Sequence, residues 1–244
     1  MKKTVIVVAG ANGAGKTTLA RELILSRLPN NFEFLNADLI ADGLSPFKPQ
    51  SVALEAGKEF LRRFENKVSQ GESFLVESTL SGLSYKNRLS YLKELGYRIE
   101  MIYIWLPNAD FAVKRVAQRV RLGGHDVPEQ TIRRRFNRSL KNFFDIYCSL
   151  AESTLLLDGS VQPIGKIAVW NRGELVDIMD TELYGRISDS QDNDQVRQEK
   201  SFYFDSSSQS YILQCIDSLI ADVDRFLTIQ ERESGLPLVV RTDG

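Results

Sequence analysis

Gly10-Ala11-Asn12-Gly13-Ala14-Gly15-Lys16-Thr17 follows the pattern G-x-x-x-x-G-K-[ST], between the β-branched run Thr4-Val5-Ile6-Val7-Val8-Ala9 and a helical stretch, Thr18 to Leu25. A chain with that order must pass from a strand buried on both faces into a helix through a loop whose backbone N–H groups curl inward, the geometry of a phosphate-binding loop. Gly10, Gly13 and Gly15 permit the curl, and Ala11, Asn12, Ala14 and Thr18 complete the candidate nucleotide-binding set. Lys16 is expected to reach the β- and γ-phosphates and Thr17 to ligate Mg²⁺, so ATP and Mg²⁺ are the implied cofactors. The helix N-terminus adds partial positive charge. A glycine-rich turn without a ligand is the bland alternative, and the flanking strand and helix weigh against it.

The rest of the chain reads as strands alternating with helices. Further strands are expected at Phe34-Leu35-Asn36, ending at Ala37-Asp38, and at Phe74 to Glu77, Arg98 to Trp105 and Thr154 to Leu157. Helices are expected from Ser51 to Ser69, Lys86 to Glu94 and Ala109 to Leu122, and from a capping box, Asp126 with Glu129, to about Ser149. Ile167 to Trp170 and Leu175 to Ile178 read as a hairpin around Asn171-Arg172-Gly173-Glu174. The fold class is therefore α/β, a P-loop parallel sheet with helices on both faces. Residues 1–187 form the expected main domain, with a helical lid at about 109–149. Ser188 to Gln198, rich in Asp, Gln, Ser and Asn, opens an expected linker over 188–206. Residues 207–244 carry an amphipathic helix, Ile212, Ile216, Leu219, Ile220, Val223, Phe226 and Leu227 keeping helical spacing. That helix either covers an apolar patch of the main domain or meets a partner.

With 43% hydrophobic and 26% charged residues in 244, the composition is globular. Cys148 and Cys215 are too few for a disulfide framework, which points to a reducing compartment. Lys2-Lys3 before an apolar stretch imitates a signal peptide, yet the stretch runs straight into the phosphate loop and reads as the first strand. Met101 to Leu106 is far short of a membrane span, so a cytoplasmic protein with no membrane part is expected. His125 is the only histidine, which leaves no histidine-rich metal site.

Two carboxylates fall at the expected C-terminal ends of strands, the rim where ligands bind in such sheets. Asp38 is placed to take the proton of an acceptor hydroxyl during phosphoryl transfer, or, more blandly, to cap the helix that begins at Leu39. Glu77 closes its strand as a Walker-B carboxylate would and could orient Mg²⁺ waters or bind substrate. Thr79 and Ser81 add hydroxyls on the same turn. From Phe111 to Lys141 there are nine Lys/Arg against two Asp/Glu, with Arg115 and Arg119, and Arg134 and Arg138, paired on helix faces. A lid placing guanidinium groups on the γ-phosphate, a solvated face and a nucleic-acid surface all fit such a stretch. The lack of interleaved aromatics and a pI of about 6.0 argue against nucleic acid.

Gly10 to Thr18, Asn36-Ala37-Asp38, Phe74 to Gly82, Arg119 to Pro128 and Ile132 to Phe136 together resemble the zeta toxin family of P-loop kinases, above all its short branch labelled as predicted ATPases. The resemblance runs in order from residue 1 to about 185, and the Glu-x-Thr and Gly-Gly-His elements carry it. It implies ATP-dependent phosphorylation of a sugar hydroxyl, with UDP-N-acetylglucosamine as the family's substrate. Lys16 and Thr17 would then hold ATP and metal, Asp38 would be the base, Glu77 and Thr79 would meet substrate, and lid arginines such as Arg119 and Arg134 would contact the γ-phosphate. The amphipathic C-terminal helix leaves an antitoxin or a second copy of the chain as the candidate partner. Another small-molecule acceptor, or a nucleotide-gated binding protein without catalysis, stays open. A regulatory GTPase is disfavoured, because Asn66-Lys67-Val68-Ser69 lacks the aspartate of a guanine-reading motif.

Overall fold

The computed structural model describes residues 3–192 apart from 27, 29–31, 47 and 162. Seven strands form one sheet in the order β2-β3-β1-β4-β5-β6-β7. They are β1 (Thr4–Gly10), β2 (Glu33–Leu35), β3 (Phe74–Ser78), β4 (Arg98–Trp105), β5 (Ser153–Asp158), β6 (Gly165–Asn171) and β7 (Glu174–Ile178). The first five in that order run parallel, and the hairpin β6–β7 extends the sheet antiparallel. The hairpin turns through Arg172 (φ 50°) and Gly173 (φ 82°), both left-handed as a two-residue turn between twisted strands requires.

Seven helices cover the sheet among the described residues: α1 (Lys16–Ser26), α2 (Ala37–Leu44), α3 (Ala53–Gln70), α4 (Ser84–Glu94), α5 (Ala109–Arg121), α6 (Glu129–Asn142) and α7 (Thr181–Asp192). β1 shows why both faces are covered. Val5, Val7 and Ala9 point into one core with Phe60, Phe64, Leu89, Leu92 and Leu183, from α3, α4 and α7. Ile6 and Val8 point into the other with Ala20, Ala112 and Val116, from α1 and α5. This period-two division of an all-apolar strand is what burial on both faces demands. α6 bridges the cores, giving Ile132 to the second and Leu140 to the first.

Three expected boundaries change. The capping box at Asp126 and Glu129 does not form: Pro128 occupies the cap position in an extended conformation, no side chain caps the helix, and Asp126 lies two residues outside, exposed. α6 also stops at Asn142 and passes into one wide turn, Phe143–Tyr147, then a tight one, Cys148–Leu150. Wide turns of this kind re-aim side chains. Here adjacent Phe143 and Phe144 both pack edge-on against Trp170, at 5.8 and 6.1 Å between ring centres. Finally, the linker expected from 188 begins inside α7. Asp180 accepts a hydrogen bond from the Leu183 N–H at 2.9 Å, and Leu183 and Ile187 enter the core, so packing overrides the polar composition of 188–192. Linker residues 193–206 and the C-terminal helix and tail at 207–244 lie outside the described residues.

Candidate active site

The phosphate loop connects β1 to α1 as its pattern requires. Gly10 has φ 137°, and a Cβ there would stand 2.3 Å from the carbonyl oxygen of Ile104 on neighbouring β4. Gly13 has φ 79°, and its Cβ would meet the Ala112 carbonyl at 2.9 Å, so both conformation and close approach exclude side chains. Lys16 is 6% exposed, and its ammonium donates back across the loop to the Ala11 carbonyl at 2.9 Å. Burial pulls its pKa below the ordinary value. Glu77 and Asp38 oppose that shift, and the positive charge of Arg119 adds to it. Asn12, Asp38 and Glu77 frame the loop differently. Asn12 is buried with its Oδ1 unpartnered, Glu77 is deep in the site, and Asp38 is exposed on the first turn of α2.

Glu77 is the hub. Its Oε2 accepts from the Thr17 hydroxyl at 2.8 Å and from Asn36 Nδ2 at 2.6 Å, and its Oε1 lies 3.7 Å from the Lys16 ammonium. The β1–β3 register, with Val8 opposite Glu77, sets the carboxylate beside the loop. Asn36 has a second task. Its Oδ1 accepts from the N–H groups of Asp38 at 2.8 Å and Leu39 at 3.1 Å, capping α2. Asp38 is thus neither the last residue of a strand nor a helix cap, as its sequence setting suggested. β2 ends at Leu35 because Asn36 makes the stronger cap, and Asp38 is left on the helix with no side-chain partner among the described residues. Asn before Ala37 is a helix-start signal, so the Asn36 role was within reach of the sequence.

Thr79 and Ser81 follow Glu77 on the rim, their hydroxyls 2.9 Å apart. Between them Leu80 adopts φ 51° and buries its side chain. A non-glycine residue in that conformation needs outside support. Three distant side chains give it: Ser139 donates to the Thr79 carbonyl, Asn142 to that of Leu80 at 2.8 Å, and the Tyr147 hydroxyl to that of Gly82 at 2.6 Å. Because the Ser139 proton goes to Thr79, the Tyr103 hydroxyl, 2.8 Å away, must donate to Ser139.

The arginines separate by environment. Arg115 lies against the phosphate loop and donates to the Gly159 carbonyl at 2.5 Å, beyond the end of β5. Arg119 donates to the His125 carbonyl at 2.6 Å and is near enough to act on Lys16. Arg133 is a surface ion pair with Asp110 and Glu129. Arg134 is exposed on α6 without a partner among the described residues, and no contact joins it to the site. The structure thus brings together Lys16, Thr17, Asn36, Asp38, Glu77 and Arg119, with Thr79 and Ser81 beside them, and leaves Arg134 outside.

A cleft of about 590 Å³ opens between α2 and α3. Phe34, Leu39 and Ile40 give it apolar walls, Lys58 and Arg62 charged ones, and Asn36 links it to the Glu77 cluster. Within it Glu59 accepts from Arg62 and Arg63, which hold its carboxyl down to about 2. Among the described residues no group of three or more His, Cys, Asp or Glu could hold a metal, and no helix is long and apolar enough to cross a membrane.

Residues 5–144 match the AAA_33 family, described as an AAA domain. An uncharacterised protein of Haemophilus influenzae is 29% identical over 142 residues, which are 56% of this chain and 94% of that one. Among solved structures, AvrRxo1-ORF1:-ORF2 with ATP is similar with TM-score 0.55 and 19% identity, over 82% of this chain and 66% of that one. The PezAT chromosomal toxin–antitoxin system of Streptococcus pneumoniae is similar with TM-score 0.51 and 16% identity, over 93% and 87%. At these identities the structural likeness speaks for the P-loop kinase-like fold.

Proposed function

The chain belongs to the AAA_33 family of AAA domains, and from that premise we propose that it is an ATP-dependent kinase acting on a sugar hydroxyl of a nucleotide sugar, most simply UDP-N-acetylglucosamine. The observation that carries the reading is a division of labour between two carboxylates. Glu77 is saturated by Thr17, Asn36 and Lys16, which suits the nucleotide and metal side. Asp38 is exposed, has no side-chain partner among the described residues, and still acts on Lys16. That suits a base.

In the proposed reaction the acceptor oxygen forms a bond to the γ-phosphorus while the bond to the β-phosphate oxygen breaks. Asp38 takes the hydroxyl proton and ADP leaves. Lys16 and Arg119 meet the charge on the transferring group. The Thr17 hydroxyl beside the Glu77 carboxylate fits Mg²⁺, which usually takes few protein ligands and several waters and phosphate oxygens. Bound there, the ion would neutralise charge on the β- and γ-phosphates. Thr79 and Ser81 offer hydrogen bonds to a polyhydroxyl acceptor, and the neighbouring α2–α3 cleft gives it room.

The substrate choice rests on the resemblance to zeta toxins. The proposed partner, an antitoxin or a second copy bound through the C-terminal helix, rests instead on the helical spacing of Ile212 to Leu227. The test is a mass-spectrometric screen of ATP-dependent phosphorylation over nucleotide sugars, free sugars, nucleosides and nucleotides. A nucleotide sugar heavier by one phosphate supports the full reading. A phosphorylated nucleoside instead overturns the substrate but keeps the kinase, and ATP binding with no product from any acceptor favours a nucleotide-gated binder.

A further inference from the structure

Arg119 lies in the last turn of α5, where the chain closes as a Schellman cap. The Gly123 N–H donates to the Val120 carbonyl at 2.9 Å and the Gly124 N–H to that of Arg119 at 2.9 Å, with Gly123 at φ 83°. The cap explains Gly123. It does not explain the second glycine, whose φ lies outside the left-handed range. At Gly124 the constraint is space: a Cβ would stand 2.5 Å from Arg119 Cγ, 3.1 Å from its carbonyl oxygen and 3.2 Å from its Cδ. The arginine stem occupies the place of a side chain. Beyond it, Arg119 Nη2 is pinned to the His125 carbonyl at 2.6 Å, while Nε is buried and has no partner. A buried guanidinium N–H without an acceptor is costly, so the packing of the stem and the tether at Nη2 must outweigh that cost.

We propose that Gly124 and the His125 main chain are positioning elements for Arg119, folding its stem across the turn and tethering one arm so that the guanidinium charge is held for an anionic phosphate near Lys16. Gly-Gly-His is on this reading a cap, a vacancy and a tether in three successive residues. The inference rests on the kinase reading above for its consequence in catalysis, while the packing on which it stands does not.

A double-mutant cycle tests it, with ATP and UDP-N-acetylglucosamine as the substrates. Arg119→Ala is expected to lower kcat by about 10³. Gly124→Ala forces the Arg119 stem to move and is expected to lower kcat by about 10², the scale of a displaced catalytic group. On the Arg119→Ala background, Gly124→Ala should cost nothing further, because there is no stem left to displace. Full kcat in Gly124→Ala, or an equal loss in both backgrounds, overturns the proposal. A readout free of turnover accompanies it: the Arg119 Nε–H resonance of ¹⁵N-arginine-labelled protein, identified by its absence in Arg119→Ala, should move in Gly124→Ala. An unmoved resonance overturns the clamp whatever the kinetics. A wild-type chain that phosphorylates nothing, with the resonance moved, overturns the kinase reading and leaves the packing role standing.

Discussion

The phosphate loop and the Thr79–Gly82 loop leave adjacent strands, β1 and β3, at the same rim, yet they are built by opposite means. The first is assembled within eight residues. Its glycines fit against β4 and α5, its lysine folds back to its own Ala11 carbonyl, and it opens a helix at once. The second has one strained residue, Leu80, and is held by Ser139, Asn142 and Tyr147, some sixty positions away. One is a local motif and the other a tertiary one. Nucleotide binding should therefore depend on the loop's own residues and, on the proposed reading, acceptor handling on residues that never touch the acceptor.

The strongest attempt to break that contrast is Lys16→Ala. Phosphoryl transfer should fall by about 10³, the scale of removing a preorganised charge donor, with circular dichroism intact. Because burial lowers the Lys16 pKa, the unfolded chain binds more protons. Stability should rise with pH up to the ordinary lysine value of 10.5, and the alanine variant should lack that rise. Normal turnover in this variant would end the kinase reading.

Asp38→Asn comes next, with turnover lower by about 10² and ATP affinity unchanged. Its melting curve should match the wild type, since Asn36 is the cap. Asn36→Ala, by contrast, should cost about 1–2 kcal/mol in a urea titration. Reversed stability effects would restore the helix-cap role to Asp38.

Tyr147→Phe probes the tertiary loop with the smallest change, removing the hydroxyl that serves the Gly82 carbonyl. The acceptor KM should rise about tenfold with the ATP KM within about twofold, and stability should drop by about 1–3 kcal/mol. A parallel rise in both KM values would mean that the two loops are not separately built. The smallest effect concerns Cys148, whose thiol is pushed up to about 12 by burial. Brief iodoacetamide treatment at neutral pH should leave the Cys148 peptide unmodified in mass spectrometry, and labelling would show that the wide turn beside it opens.

The same contrast explains what was legible in the sequence. The alternating architecture, the limits of β4 and the placing of Lys16, Thr17 and Glu77 on one rim follow from local pattern, and the structure has them so. Asp38 falls in the first turn of α2, and not at the end of β2, because Asn36 caps the helix two positions earlier. The bonds from Ser139, Asn142 and Tyr147 carry no sequence signal, since any serine, asparagine or tyrosine on a helix reads alike until the fold sets a carbonyl opposite it. The tight and wide turns after Asn142 were invisible for a related reason: they answer to Trp170 on another strand. Gly123 and Gly124 look alike in the sequence, yet one closes the helix cap and the other leaves the space that the Arg119 stem fills.

The pairing of β1 with β3 joins Val8 to Glu77 although sixty-odd residues separate them in the chain. A slip of one position would turn Glu77 to the opposite face of the sheet, so the pairing is a ruler for the chemistry. The stretch beyond Asp38 hangs outside that ruler: α3 and its side of the cleft can lengthen, shorten or change lining while Val8 stays opposite Glu77. On the proposed kinase reading, the lining that α3 gives the cleft can diverge with the acceptor while the β1–β3 pairing keeps Glu77 beside the phosphate loop, so a lineage built on this sheet can change what it acts upon without relearning how to act.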